Sequence, residues 1–166
     1  MSDEPLYAMM GYTDDEWGLL VGLPQSVLTA ASAATPDSAR KTRAENAAGM
    51  SEIADARASA SPLVAAIAGE IIGQVGDPEL GEELPAIEPG DPAAYAQDVV
   101  QRAAQASALL AGKAGDSDAE TYKHWLVEIA DTVVAAASTG GVLGIGAETV
   151  TESERAFRDS LAEALT

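Results

Sequence analysis

Residues Ser61–Val75 read SPLVAAIAGEIIGQV and carry the clearest helical signal in the chain. Ser61 followed by Pro62 fits a helix N-cap and first helical position, where the missing N–H of proline has no helical partner to lose. Large apolar residues then recur at helical spacing; they are Leu63, Val64, Ile67, Ile71 and Val75. A helix that is apolar on most of its circumference must be covered by other elements, so we expect it to be central in an all-α protein.

Start signals of the same kinds occur on both sides of this segment. Capping boxes lie at Thr13–Glu16, Ser117–Glu120 and Thr151–Glu154, and cap-plus-proline pairs lie at Thr35–Pro36 and Asp91–Pro92. No segment alternates β-branched or aromatic residues with the period of a strand. The sequence therefore predicts a single compact all-α bundle of about six helices.

The same signals give the domain limits. We expect residues 1–12 to be a flexible N-terminal tail and residues 13–166 to be a single all-helical domain. Within the first predicted helix, Pro24 removes a backbone donor, so a kink or a break is expected near Gly22 and Leu23. Residues 76–91 contain six acids, three prolines, three glycines and no base, which predicts a long acidic loop between the third and fourth helices.

The charge balance is strongly acidic, with 27 Asp and Glu against 9 Lys and Arg and a formal net charge of −18. Contacts to phosphates need basic side chains, so the balance argues against nucleic-acid binding. Many acids, few lysines and much alanine are typical of proteins from a high-salt cytoplasm. An acidic protein from a GC-rich bacterium is the alternative.

Cysteine and apolar content exclude further classes. The absence of cysteine excludes a disulfide scaffold, a thiolate zinc site, a cysteine nucleophile and an iron–sulfur cluster. The longest apolar stretches, Leu63–Gly69 and Thr132–Ala137, are well short of the ~20 residues that span a bilayer. Asp3 and Glu4 stand where a signal peptide would be basic. We expect a cytoplasmic protein without membrane insertion.

One helical stripe carries candidate metal ligands. His124, Glu128 and Asp131 are spaced at i, i+4 and i+7, which places them along one side of a helix. A histidine and a carboxylate one turn apart can share a metal ion, and helical bundles build metal sites from facing helices. The alternative is a solvated polar face beside the buried Trp125.

A glycine-rich stretch joins the last two predicted helices. It consists of Gly140, Gly141, Val142, Leu143, Gly144, Ile145 and Gly146. Phosphate-binding loops follow a strand and carry a lysine, and this stretch does neither. So many glycines indicate backbone angles that other residues cannot reach. We therefore predict a structured turn whose apolar side chains pack against one end of the bundle or contact a partner. A plain linker is the alternative.

The two ends of the chain resemble a family of small, uncharacterised prokaryotic helical proteins. The resemblance rests on YKHWLVEIADTV at 122–133, GGVLGIG at 140–146 and VTESER at 150–155. Near the N-terminus, DEW at 15–17 followed by LP at 23–24 is similar to the start of these proteins. The middle of the chain is not covered.

More distantly, the layout resembles the tellurite-resistance TerB-like bundles. Those proteins place an acidic Asp-Gly turn before a helix that contains Asp or Glu, and these acids are associated with metal binding. Ser138-Thr139-Gly140 stands at the corresponding point here, so the first acid is missing. Neither resemblance implies a catalytic residue or a cofactor.

Three function classes follow from the sequence. The first is a non-enzymatic cytoplasmic module that acts through a protein partner or self-association, in a stress response of a salt-adapted or acidic-proteome prokaryote. The second is a divalent-metal-binding, TerB-like module that uses His124, Glu128 or the acidic loop. The third is a small enzyme, although no G-x-S-x-G or other nucleophile motif is present.

Overall fold

A computed structural model describes residues 4–34, 39–77, 89–138 and 152–166. Within these ranges the chain is all-α, with seven α-helices, one 3-10 turn and no strand, which confirms the predicted fold class. The helices are α1 (Leu6–Met9), α2 (Asp14–Ala33), α3 (Ala39–Asp55), α4 (Pro62–Val75), α5 (Pro92–Lys113), α6 (Asp116–Ser138) and α7 (Glu152–Ala164), and the 3-10 turn is Ala56–Ala58.

The helix beyond the expected six is α1, which lies in the segment predicted to be a tail. Tyr7 stacks on Trp17 of α2 with 5.4 Å between the ring centroids, and Tyr12 is buried in the core. These aromatic contacts hold residues 5–12 against α2, although α1 has no side-chain cap of its own. The flexibility of residues 1–12 stays a prediction.

Several predicted caps are present. The Thr13 Oγ1 accepts from the Glu16 N–H at 3.2 Å, and the Glu16 carboxylate accepts from the Thr13 N–H at 2.9 Å. Ser61 and Asp91 cap α4 and α5 in the predicted way. The box at Ser117 is wrong: α6 begins at Asp116, so Ser117 lies inside the helix.

Helix α2 runs unbroken through Pro24, so the break expected as one of two alternatives near Gly22 and Leu23 is wrong, and the kink stays a prediction. Proline has no N–H, so the carbonyl of Leu20 four residues earlier loses its helical donor. The hydroxyl of Tyr122 on α6 donates to that carbonyl at 2.8 Å, and both residues are fully buried. A side chain from another helix therefore satisfies the acceptor that Pro24 leaves open.

The centre of the bundle is formed by α2 and α6. Each packs against the other and against α3, α4, α5 and α7, whereas α4 packs on α2, α3 and α6 and exposes Gly69, Gly73 and Gln74. The expectation that Ser61–Val75 would be central is thus wrong, although Leu63, Ile67 and Ile71 are fully buried. The exposed face of α4 is small and carries no large apolar side chain.

Gly49 allows α3 to approach α2 and α6 closely. A Cβ atom at this position would lie 2.5 Å from Leu28 Cδ1 and 2.9 Å from Val133 Cγ2. Neither distance is possible without movement of the core, so this glycine sets the position of α3 and of the side chains on its outer face.

Two predicted features lie outside the described residues. They are most of the acidic loop 76–91 and the whole glycine-rich turn from Gly140 to Gly146. In the part of the chain that the structure describes, no helix is long and apolar enough to cross a membrane.

Candidate functional site

A groove of about 560 Å³ lies beside α6, on the side of α3 and the start of α4. We call it the acidic groove, and its lining residues are Glu52, Asp55, Ala56, Ser59, Val64, Glu120, Thr121, His124, Trp125 and Glu128. Helical spacing explains the arrangement. Glu120, His124 and Glu128 follow each other at i, i+4 and i+8 along α6, and Glu52 and Asp55 lie one turn apart on α3.

Three carboxylates of the acidic groove have no cationic partner in the part of the chain that the structure describes. Among the described residues, Glu52, Asp55 and Glu128 form no ion pair, while Glu120 contacts Lys123 at 3.3 Å. Burial raises the pKa of Glu52 above its ordinary value, and the charges of Glu128 and Asp55 raise it further. The acidic groove therefore holds negative charge that no ion pair within the described ranges neutralises.

Trp125 forms part of the wall of the acidic groove and is only 3% exposed. Its ring lies edge-on to Tyr122, with 6.0 Å between centroids. No acceptor in the described part of the chain reaches its buried indole N–H. A buried donor without an acceptor costs about 1–3 kcal/mol, so native proteins keep few of them.

A second groove, of about 510 Å³, lies between α6 and α7. We call it the α6–α7 groove; its charged residues include Lys123, Asp131 and Arg158. Arg158 binds Asp131 at 3.0 Å and Asp159 at 3.5 Å. The hydrogen bond and charge of Asp131 raise the pKa of the Arg158 guanidinium. Of the three carboxylate side chains that line this groove, Glu120 and Asp131 pair with Lys123 and Arg158, and Glu128 forms no ion pair with any described residue.

The predicted metal ligands lie between the two grooves. His124 and Glu128 line both of them, whereas Asp131 lines only the α6–α7 groove, where Arg158 donates to both of its oxygens. Within the described ranges, no group of three His, Asp or Glu side chains is placed to hold a metal ion. Metal binding by His124, Glu128 and Asp131 stays a prediction, as does an interaction role for Gly140 to Gly146, which lie outside the described residues.

Sequence reasoning missed the α3 side of the acidic groove, although a local signal was present. Glu52 and Asp55 lie in the last turn of α3, which has no basic residue there. Carboxylates at a helix C-terminus oppose the helix dipole and cost a few tenths of a kcal/mol or more. Arg57, in the 3-10 turn that follows α3, donates to the Ala54 carbonyl at 3.0 Å and partly offsets this cost, which leaves a weak local signal.

The comparisons with known proteins add no relative. The sequence matches no family model, and neither the curated proteins nor the solved structures gave a match.

Proposed function

We propose that this chain is a non-enzymatic interaction module that binds a basic segment of a protein partner in the acidic groove. The observation that carries the proposal is the set of carboxylates of Glu52, Asp55 and Glu128, which have no ion pair among the described residues. Each of them stands in a concave site, where charge is less screened than on an open surface. A cationic side chain in the groove would relieve their mutual repulsion.

The shape of the site supports a side chain better than a bare metal ion. The groove volume of about 560 Å³ lies in the range that holds a ligand of several residues or a small molecule. The carboxylates are not gathered into a metal-binding group in the described part of the molecule. Spread carboxylates suit the long side chains of lysine and arginine, which reach separate acids from one backbone.

The setting of this function is inferred from composition. We propose that the module works in the cytoplasm of a salt-adapted or acidic-proteome prokaryote, in a stress response. Support comes from the net charge of −18. If the chain is salt-adapted, raising salt from low to molar concentration should raise the melting temperature, because screening shortens the range of repulsion to ~3 Å at 1 M. A flat or falling melting temperature would contradict adaptation to salt.

The binding test uses N-acetyl-tetralysine amide carrying a fluorescent label, with fluorescence anisotropy as the readout. The double variant Glu52→Gln/Glu128→Gln should weaken binding about tenfold, since each exposed ion pair contributes about 0.2–1 kcal/mol. The matched control is Asp131→Asn/Asp159→Asn, which removes the same charge from the two acids that pair with Arg158, one on α6 and one on α7. It should bind like the parent protein.

Equal losses in the two double variants would mean that net charge, and not the groove, attracts the peptide. A metal-binding result would instead favour the divalent-metal module. Tight binding of one Zn²⁺ or Mn²⁺ ion that His124→Ala abolishes, without peptide binding, would replace the present proposal.

A further inference from the structure

The indole N–H of Trp125 points to the class of ligand that the acidic groove accepts. We infer that the bound segment is an extended peptide that offers a main-chain carbonyl to this N–H while its basic side chains meet Glu52 and Glu128. The inference rests on the proposed function and goes one step beyond it: an acidic groove alone would accept any organic cation.

The indole N–H of Trp125, which has no acceptor among the described residues, needs an explanation because another aromatic side chain would avoid its energetic cost. Phenylalanine would fill much of the same space against Tyr122 without burying an N–H, and burying a donor without an acceptor is costly. The other tryptophan, Trp17, donates its N–H to Glu70. The described fold therefore supplies an acceptor for one indole and none for the other, which lines the groove.

Two chemical needs meet at this site, and few ligands satisfy both. Within the described ranges, the carboxylates of Glu52, Asp55 and Glu128 have no cationic partner and the Trp125 indole N–H has no acceptor. A polyamine or a metal ion brings charge but no acceptor. A peptide that carries lysine or arginine brings both, because each residue has a main-chain carbonyl. An extended segment leaves its carbonyls free, whereas a helix uses them internally.

The length of the groove sets the size of this segment. Glu120 and Glu128 lie eight residues apart on α6, which is about 12 Å along the helix axis. An extended chain spans ~3.3 Å per residue, so about four residues cover this distance. The indole N–H of Trp125 has no accessible surface in this structure. The inferred contact therefore requires a side chain of the groove wall to change rotamer when the peptide binds, which is common at interfaces.

The experiment follows the two indole N–H signals of the ¹⁵N-labelled protein by NMR, assigned with Trp17→Phe. The probes are N-acetyl-tetralysine amide and spermine, which carry equal charge but differ in carbonyl content. We expect the peptide to move the Trp125 N–H signal downfield and to leave the Trp17 signal in place. Spermine should bind without the downfield shift. Trp125→Phe should weaken peptide binding about fivefold and leave spermine binding unchanged.

The outcomes separate this inference from the proposed function. Peptide binding without a shift of the Trp125 signal, or equal shifts with both probes, overturns the inference and leaves the groove as a general cation site. Failure of the peptide to bind overturns both. The NMR measurement is made on the unaltered groove, so the result stands even if Trp125→Phe folds poorly.

Discussion

The two tryptophans of this chain lie in regions that differ in how their polar groups are satisfied. Trp17 donates its N–H to Glu70 and packs between Tyr7 and Tyr12. Trp125 is equally buried, but no described residue accepts its N–H. Both rings fill the core, so burial alone does not distinguish them. The difference lies in the hydrogen-bond partner of the indole N–H, and the proposed binding role of Trp125 depends on it.

The carboxylates around the two rings repeat this contrast. Near Trp17, the Lys113 ammonium lies 2.5 Å from Glu16 and lowers its pKa. Near Trp125, burial and the charges of Glu128 and Asp55 raise the pKa of Glu52. Near Trp17, Glu16 has a cationic partner within the fold, whereas Glu52 near Trp125 forms no ion pair with any described residue. This contrast between Glu16 and Glu52 is one reason why we propose the acidic groove as the binding site.

The largest expected effect comes from Gly49, which positions the α3 wall of the groove. Gly49→Val should lower the free energy of unfolding by about 3 kcal/mol, because even a single carbon there would collide with Leu28 and Val133. Denaturant unfolding measures the change. The fluorescence of Trp125 should shift, while Tyr7 and Trp17 keep their contact on the far side of α2.

Gly69 provides the matched control because it also lies within a helix but has no atom within 4 Å of an added Cβ. Gly69→Val should change the free energy of unfolding by less than about 0.5 kcal/mol. If the two variants lose equal stability, the close approach of α3 is not what Gly49 provides.

Tyr122 links the two regions, since it bonds to Leu20 on α2 and contacts the ring of Trp125. Tyr122→Phe should lower the free energy of unfolding by about 2 kcal/mol, because the buried Leu20 carbonyl loses the hydroxyl that replaces the missing Pro24 donor. In a Pro24→Ala background the helix regains that donor. The Tyr122→Phe loss should then shrink by about 1 kcal/mol, and a double-mutant cycle without coupling would refute this account.

The amino-acid sequence predicts the features that depend on residues close together along the chain. The caps at Thr13, Ser61 and Asp91 depend on atoms within three residues, so their pattern predicts helix starts directly. The all-α class follows from the same patterns. Of the kink or break expected near Gly22 and Leu23, the break is wrong. The sequence pattern does not contain the reason, since the hydroxyl that replaces the Pro24 donor belongs to Tyr122, 102 positions from Leu20.

Only the α6 side of the candidate site could be predicted from the sequence, because its α3 side depends on a contact between distant segments. His124 and Glu128 share one helix, so their spacing showed that they share a face. Glu52 and Asp55 join them only because α3 packs on α6, and the sequence pattern does not contain that contact. The unpaired N–H of Trp125 likewise depends on what surrounds it in the fold.

Replacing each tryptophan by phenylalanine tests the contrast between the two indoles directly. Both variants lose ring volume, so both should destabilise the protein. Trp17→Phe also removes a donor to Glu70, which keeps the 3.4 Å bond from Gln74, whereas Trp125→Phe removes a donor that has no acceptor among the described residues. Trp17→Phe should therefore be the more destabilising by about 1 kcal/mol in denaturant unfolding. The reverse order would show that the Trp125 N–H is satisfied in solution.

The smallest effects are expected from the two acids with opposite pKa shifts, Glu16 and Glu52. The pKa of Glu52 is raised in the folded state, so its charge opposes folding at neutral pH, and this penalty disappears as pH falls through its folded pKa. Glu52→Gln should therefore be slightly more stable than the parent protein at pH 7, with the advantage shrinking in acid.

The pKa of Glu16 is lowered by Lys113, so its charge favours folding and that contribution is lost as pH falls. Glu16→Gln keeps a side chain that serves in capping boxes, and it should be slightly less stable at pH 7, again with a difference that shrinks in acid. Thermal unfolding of the three proteins from neutral to acidic pH measures both differences. If both variants change stability in the same direction at neutral pH, the two regions do not differ in the way their acids are neutralised.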